Sequence, residues 1–433
     1  MRILNSESRP VWRLPCSRLL KAARTGTAIL AIAAVTAGFA IPKADAAEPI
    51  GLAVIAPLQH ALGKAMVNAA KMAVDDVNET GGVNGRPLKL FVFDDQTSST
   101  NAVRALQKAV QQNHVVAGVG VWISEVALAV EPWTGRLKTP FVVTGAISPK
   151  ISRRVHEHYN KFRYTFTNNL DGVQQARNVC LSLHNDVVKP HHATRAVIMA
   201  ENADWTQAVV HEYKKCLPEA GLTVEKTVRY SLDTKDFKPI FNSVTSANPQ
   251  VIAAATAING LRPIVQWHQN QVPALLTGIN AQSVEGDFWD KTNGATNDVM
   301  SVVAGSINGI PVTDKTRGFF TAYKRAYGTP PPFTGYTTYD AVHMIANAIK
   351  RTGSTKGSAI VDQMEATDYT GVNGHYQFHG KNEPKTHSVK FGKQYVTGLS
   401  FQWQDGKQVA TWPSKFAQGQ AELPDFVKTS FNQ

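Results

Sequence analysis

A chain of 433 residues with 43% hydrophobic and 18% charged side chains is too long for one small core and fits an ordinary globular protein built as two units. Its formal charge of +12 is spread along the sequence and not gathered in a basic tract, so it gives no reason to expect nucleic acid as a partner. Residues 1–46 carry seven basic and two acidic side chains, which leaves +7 on the remainder. That excess suits an anionic ligand and equally suits simple solubility.

Residues 1–26 hold Arg2, Arg9, Arg13, Arg18, Lys21 and Arg24 against the single acid Glu7, and residues 27–41 form an apolar run of 15. Ala44-Asp45-Ala46 then places small residues at both specificity positions of a cleavage site. The pattern predicts a signal peptide (1–46) removed near Ala46/Ala47. Fifteen apolar residues rich in Ala, Gly and Thr are short for an uncleaved membrane anchor. No cysteine stands at the cleavage point to take lipid, and no adjacent arginine pair precedes the apolar run, so general secretion is the expected route.

Beyond the leader, strands and helices alternate. The predicted order is strand 50–55, loop 58–63 and helix 64–79, whose Met66, Ala69, Ala70, Ala73, Val74 and Val77 follow helical spacing. Gly81-Gly82 ends that helix, and strand 88–93, helix 101–112 and strand 115–119 come next. Gly118 and Gly120 loosen the backbone before a helix that starts at Ser124 as N-cap and ends near Lys138. A short buried strand at 141–144 and the loop Gly145-Ala146-Ile147-Ser148-Pro149 complete this half. If the strands 115–119 and 141–144 are parallel neighbours, both following loops lie at the carboxyl edge of one sheet, where open α/β sheets hold ligands. The alternation restarts with helix 171–186, strand 196–200, helix 205–217, strand 222–228, helix 237–246, strand 251–255, helix 261–269 and strand 274–277. Strand 299–303, helices 316–327, 336–350 and 358–365, and a final group of strands around the Asp405-Gly406 turn follow. This is the signature of βαβ units and of an α/β fold with two lobes and mostly parallel sheets.

Cys180 and Cys216 remain after the leader takes Cys16. They fall in helices flanking one strand, and both a disulfide and two separate buried thiols fit that placement. The chain has no CxxC, HExxH or GxSxG motif. His156/His158 and His191-His192 lack companion Cys or carboxylate ligands, so no metal site and no cofactor are expected. Gly118-Val-Gly120 lacks the third glycine of a dinucleotide loop, and no nucleophile–base set stands out, which argues against an enzyme.

The segments 51–57 (GLAVIAP), 73–78 (AVDDVN), 81–86 (GGVNGR), 93–95 (FDD), 145–149 (GAISP), 326–328 (AYG), 339–342 (YDAV), 401–403 (FQW) and 405–407 (DGK) occur in an order that resembles one family. It is the type I periplasmic solute-binding proteins of the leucine/isoleucine/valine-binding class, the receptors of ABC importers. The resemblance spans roughly residues 48–412. It implies two Rossmann-like lobes joined by a three-crossover hinge, with lobe 1 at 47–166 plus 300–385, lobe 2 at 167–299 plus 386–412, and a tail at 413–433. It further implies a periplasmic protein that closes on a small-molecule ligand and hands it to an ABC permease and ATPase complex at the inner membrane. A signalling receptor of the same fold is the alternative.

The resemblance also implies where the ligand sits. Ser124 matches the serine that binds an amino acid's carboxylate, and Ala146 and Ile147 match an Ala-Thr step, so a hydrocarbon replaces a hydroxyl. Ser148, one residue on, could restore it. Trp205 matches a cleft tyrosine able to stack on ligand, Leu62 stands in place of a pocket tryptophan, and Trp122 is an additional aromatic. Asn280 replaces the glutamate that receives the ligand's ammonium, and an amide has no charge to pair with it. These departures predict a carboxylate- or amide-bearing solute, aromatic ones included, in place of a simple branched-chain amino acid.

Overall fold

The structure, a computed structural model, describes residues 48–432; the signal-peptide reading therefore falls outside the described residues. It opens with β1 (Ile50–Ala56), α1 (Ala61–Glu79), β2 (Leu88–Asp94), α2 (Ser99–Gln111), β3 (Ala117–Gly120), α3 (Ser124–Leu137) and β4 (Phe141–Val143). Then come α4 (Lys150–Glu157), α5 (Tyr159–Phe162) and β5 (Thr165–Thr167). The five strands form one parallel sheet in the order β2-β1-β3-β4-β5. Every residue of β1, β3, β4 and β5 is buried, as expected of strands covered by helices on both faces.

The second system begins with α6 (Gly172–Leu183), a π-helical turn (His184–Val188) and α7 (Lys189–His191). Next are β6 (Arg195–Glu201), α8 (Asp204–Glu219), β7 (Thr223–Tyr230), α9 (Lys238–Thr245), β8 (Val251–Thr256), α10 (Leu261–Gln269), β9 (Leu275–Asn280) and α11 (Phe288–Lys291). Its four strands are again all parallel, in the order β7-β6-β8-β9. Asp171 opens α6 with a full capping box, its carboxylate accepting from Gln174 N–H while the Gln174 side chain takes the Asp171 N–H. A disulfide links Cys180 on α6 to Cys216 on α8, with Cα atoms 5.9 Å apart.

The rest comprises β10 (Met300–Ala304), α12 (Thr316–Tyr327), α13 (Phe333–Thr352), α14 (Gly357–Glu365), β11 (Tyr369–Thr370), β12 (His375–Tyr376), β13 (Gly398–Gln404), β14 (Lys407–Trp412) and α15 (Asp425–Phe431). Helix α13 returns to the first system, where Thr334 Oγ1 donates to the Leu62 carbonyl at 2.8 Å and Thr337 Oγ1 to the Thr144 carbonyl at 2.7 Å. Strand β10 instead pairs antiparallel with β13 and lies beside β9, where Ser301 Oγ takes the Asn280 N–H at 3.4 Å and donates to the Gly278 carbonyl at 3.3 Å. The sequence puts a passage between the sheet systems at Val299; with β10 held to β9 and β13, that passage follows Ala304. The tail at 413–432 packs against the second system. Gln402 Nε2 donates to the Glu422 carbonyl at 2.7 Å, and Phe426 meets Trp267 edge-on with ring centres 5.0 Å apart. The chain also passes between the systems after β5 and again beyond Val389, where Thr167 and Ser388 form a parallel bridge.

Candidate functional site

The carboxyl ends of β3, β4, β6, β8 and β9 converge on one cavity of about 620 Å³, counted to its open mouth. Such a crevice at the strand ends is where open α/β sheets hold ligands. Three aromatic residues, Trp122, Trp205 and Phe333, stand in its wall with Ile147, Ile258, Ile279, Val302 and Val303. The polar side chains in the lining are Ser124, Glu125, Gln175 and Asn280, and neither Lys nor Arg is among them.

The first wall depends on an unusual turn at the end of β3. Gly120 has φ +120° and a side-chain carbon there would stand 2.2 Å from the Ile55 carbonyl oxygen, so glycine is required. The next residue, Val121, is β-branched yet has φ +62°, a conformation that costs about 1–3 kcal/mol. It is held from both sides: its N–H donates to the Ile55 carbonyl at 2.8 Å, and its carbonyl accepts from Ala146 N–H at 3.2 Å. This turn sets Trp122 in the cavity wall, with His60 packed on it at 5.2 Å between ring centres. Burial lowers the pKa of His60, favouring the neutral ring.

Ser124 was expected to cap α3. Ile123 occupies the N-cap instead, and Ser124 is the first helical residue. Its Oγ accepts from the Ser148 N–H at 3.2 Å. The hydroxyl proton is thereby left to be donated, beside the unpaired N–H groups of the helix's first turn. That combination suits an anion.

Across the cavity, Trp205 lies in the first turn of α8 and donates its indole N–H to Glu201 at 3.3 Å. Glu201 ends β6 fully buried and also accepts from Ile258 N–H at 3.2 Å and Asn259 N–H at 3.4 Å. Burial raises its pKa, opposed by those N–H donors. Asn280 is in the lining, but its amide serves the protein: Nδ2 donates to the Gly260 carbonyl at 2.9 Å and Oδ1 accepts from Gln282 N–H at 3.0 Å. Gln175 commits Nε2 to the Leu170 carbonyl at 2.8 Å. Glu125 is exposed at the rim, where it takes the N–H of Asp204 at 2.9 Å.

Of the residues singled out in the sequence, Trp122, Ser124, Ile147, Trp205 and Asn280 line the cavity, whereas Leu62, Ala146 and Ser148 do not. Leu62 is 1% exposed and packs in the core beneath α13. Ala146 faces a second core cluster with Val121 and Val143. Ser148 turns its hydroxyl to Asp204 at 2.9 Å, so it does not replace the hydroxyl missing at Ile147. Gln175, Phe333, Glu201 and the β10 residues escaped the sequence reading. An acid closing the buried run 196–201 was the one signal available for Glu201.

Two parallel α/β sheet systems with a solute-sized cavity at their facing strand ends define a cleft-binding receptor. A family model for periplasmic binding proteins matches residues 52–395, and the chain belongs to that family. It is 22% identical over 409 residues to a Leu/Ile/Val-binding protein homolog of Brucella suis, covering 91% of this chain and 98% of that one. Its fold matches the branched-chain amino acid transporter substrate binding protein of Streptococcus pneumoniae, solved with isoleucine, at TM-score 0.71 and 18% identity over 83% of this chain and 97% of the other. It also matches a solute binding protein of an ABC transporter from R. palustris, solved with benzoate, at TM-score 0.70 and 16% identity over 88% and 99%. The family is one of solute-binding proteins, not of enzymes.

Proposed function

We propose that the chain is the periplasmic solute receptor of an ABC importer, exported by a leader removed near Ala47, and that its solute is a small organic carboxylate or amide, aromatic in character. The two sheet systems act as lobes: residues 48–167 with 305–389 on one side, and 168–304 with 390–412 on the other. A solute touching both favours the closed form in proportion to the contacts it makes only there. The closed form is then what a permease with its ATPase would recognise.

The composition of the cavity carries this reading. The start of α3 with Ser124 supplies N–H and O–H donors for a carboxylate or amide oxygen. Trp122, Trp205 and Phe333 offer ring surface, for which aromatic solutes gain stacking beyond area burial. An ammonium finds little: Asn280 is neutral and spent on backbone partners, and Glu125, the one carboxylate in the lining, is turned to Asp204 at the rim. The R. palustris protein solved with benzoate shows that this fold can carry such a solute.

A thermal-shift screen of the mature protein against benzoate, 4-hydroxybenzoate, benzamide, leucine and isoleucine tests it. A solute bound by the native state alone raises the melting temperature. Aromatic carboxylates or amides are expected to do so and the aliphatic amino acids not. A shift with leucine or isoleucine alone would overturn the solute assignment.

A further inference from the structure

Asp204, immediately before Trp205, makes more polar contacts across the cleft than its place outside the cavity lining would suggest. It is the first residue of α8, so it belongs to the second sheet system. Its carboxylate nevertheless accepts from Ser148 Oγ at 2.9 Å and pairs with Lys150 Nζ, both on the loop and first turn that follow β4. Its backbone N–H donates to the Glu125 carboxylate at 2.9 Å, in the first turn of α3. Three partners from the first system therefore meet one residue of the second. The side chain of Asp204 is 16% exposed and that of Lys150 36%, so the pair sits at the rim, partly shielded from water.

We infer that Asp204 is a positioning residue that couples closing of the cleft to the set of the Ser124 hydroxyl. The link runs through Ser148. Its Oγ–H donates to Asp204 while its N–H donates to Ser124 Oγ at 3.2 Å. With the cleft closed, Asp204 fixes the loop at 145–150, and that loop holds the Ser124 oxygen as an acceptor, leaving its proton for the solute. The same turn carries Trp205 to the opposite wall. When the lobes part, Asp204 withdraws, Ser148 loses its acceptor and the hydroxyl its set, while the indole, held by Glu201, moves off with its own lobe. At the start of α8 the carboxylate is favoured by the helix's positive end, so it is already in place in the open form. Asp204 touches no solute in this arrangement; it acts through Ser148, Lys150 and Glu125.

The inference rests on the two-lobed receptor reading, and its test needs no solute, so its failure and that of the solute assignment are told apart. Spin labels at Arg153 and Gln207, exposed residues on α4 and α8, report the width of the cleft by electron–electron resonance. In the unliganded wild type a short-distance population is expected. Asp204→Ala is expected to shift the distribution to longer distances by several ångströms. Lys150→Ala and Ser148→Ala should shift it in the same direction by less, and they keep the test open if the Asp204 variant does not fold. Asp233→Ala, an exposed acid of the second system, should leave it unchanged. Wild-type distributions in the folded clasp variants, or an equal shift in Asp233→Ala, would overturn the inference.

Discussion

The indole N–H of Trp205 and the backbone N–H of Ile258 converge on one fully buried carboxylate, that of Glu201, at 3.3 and 3.2 Å. One side chain thus fixes two parts of the cavity wall contributed by different βα loops. Glu201→Ala leaves those donors without an acceptor, at about 1–3 kcal/mol each. Urea unfolding should show the loss, and solute affinity should fall at least roughly tenfold, equivalent to ~1.4 kcal/mol. Glu201→Gln is expected to fare little better, because its NH2 would face N–H donors. Unchanged stability and affinity in Glu201→Gln would show that the carboxylate is not needed.

Glu131, on α3 away from the cavity, governs a pH effect of definite sign. It is fully buried beside Arg154 at 3.3 Å, and desolvation lifts its pKa from 4.5 to about 8 despite that guanidinium. Between those two values the native state holds more protons than the unfolded chain, so stability falls as pH rises and levels off above about 8. Glu131→Gln should flatten this slope, with the gap to wild type widening toward pH 8 to roughly 1–4 kcal/mol. Urea titrations at a series of pH values measure it, and parallel pH profiles for the two proteins would contradict it.

Asn280 offers a change of solute preference. A glutamate there could still accept from Gln282 N–H, and it would lose the donor bond to the Gly260 carbonyl, a cost of about 1 kcal/mol. In return the cavity would gain a charge able to pair with an ammonium. Asn280→Glu is expected to weaken binding of an aromatic carboxylate and to raise affinity for leucine, read by calorimetry. A variant with unaltered preference would remove Asn280 from the selectivity account.

The Cys180–Cys216 disulfide closes a loop of 36 residues between α6 and α8, alongside the Arg177–Glu212 ion pair at 2.7 Å. The chain-entropy account assigns such a loop about 3–4 kcal/mol. The double variant Cys180→Ala/Cys216→Ala should lose roughly that much in urea, and reductant should lower the stability of wild type but not of the variant. Mass spectrometry finding two free thiols in the untreated periplasmic protein would contradict the bridge.

Elements with clear periodicity were legible to the residue: α10 and α12 run over 261–269 and 316–327, as their apolar spacing predicts. The stretch from 150 to 167 was not. Arg153, Arg154, His156 and His158 give it the look of a charged loop, yet Ile151 and Val155 are one helical turn apart and wholly buried, and β5 is only three residues long. Strand β10 was legible as a strand but not as a neighbour of β9, since pairing partners far apart in sequence leave no local trace. The same limit governs the cavity. Trp122 and Trp205 could be placed by their positions after strands, whereas the turning of Ser148 toward Asp204 depends on a residue 56 positions away. Asn280 could be located but not read as spent on Gly260 and Gln282, because side-chain direction is set by the folded loop.

The most direct measurement is an isothermal titration of the mature protein, freed of any co-purified solute by unfolding and refolding, with benzoate and with leucine in parallel. The cavity predicts saturable one-to-one binding of the aromatic carboxylate, abolished in a Trp122→Ala/Trp205→Ala variant that still folds, and no heat from leucine. Tight leucine binding with no response to benzoate would contradict the assignment of the solute and return Ser124 and Asn280 to the roles of an amino-acid receptor.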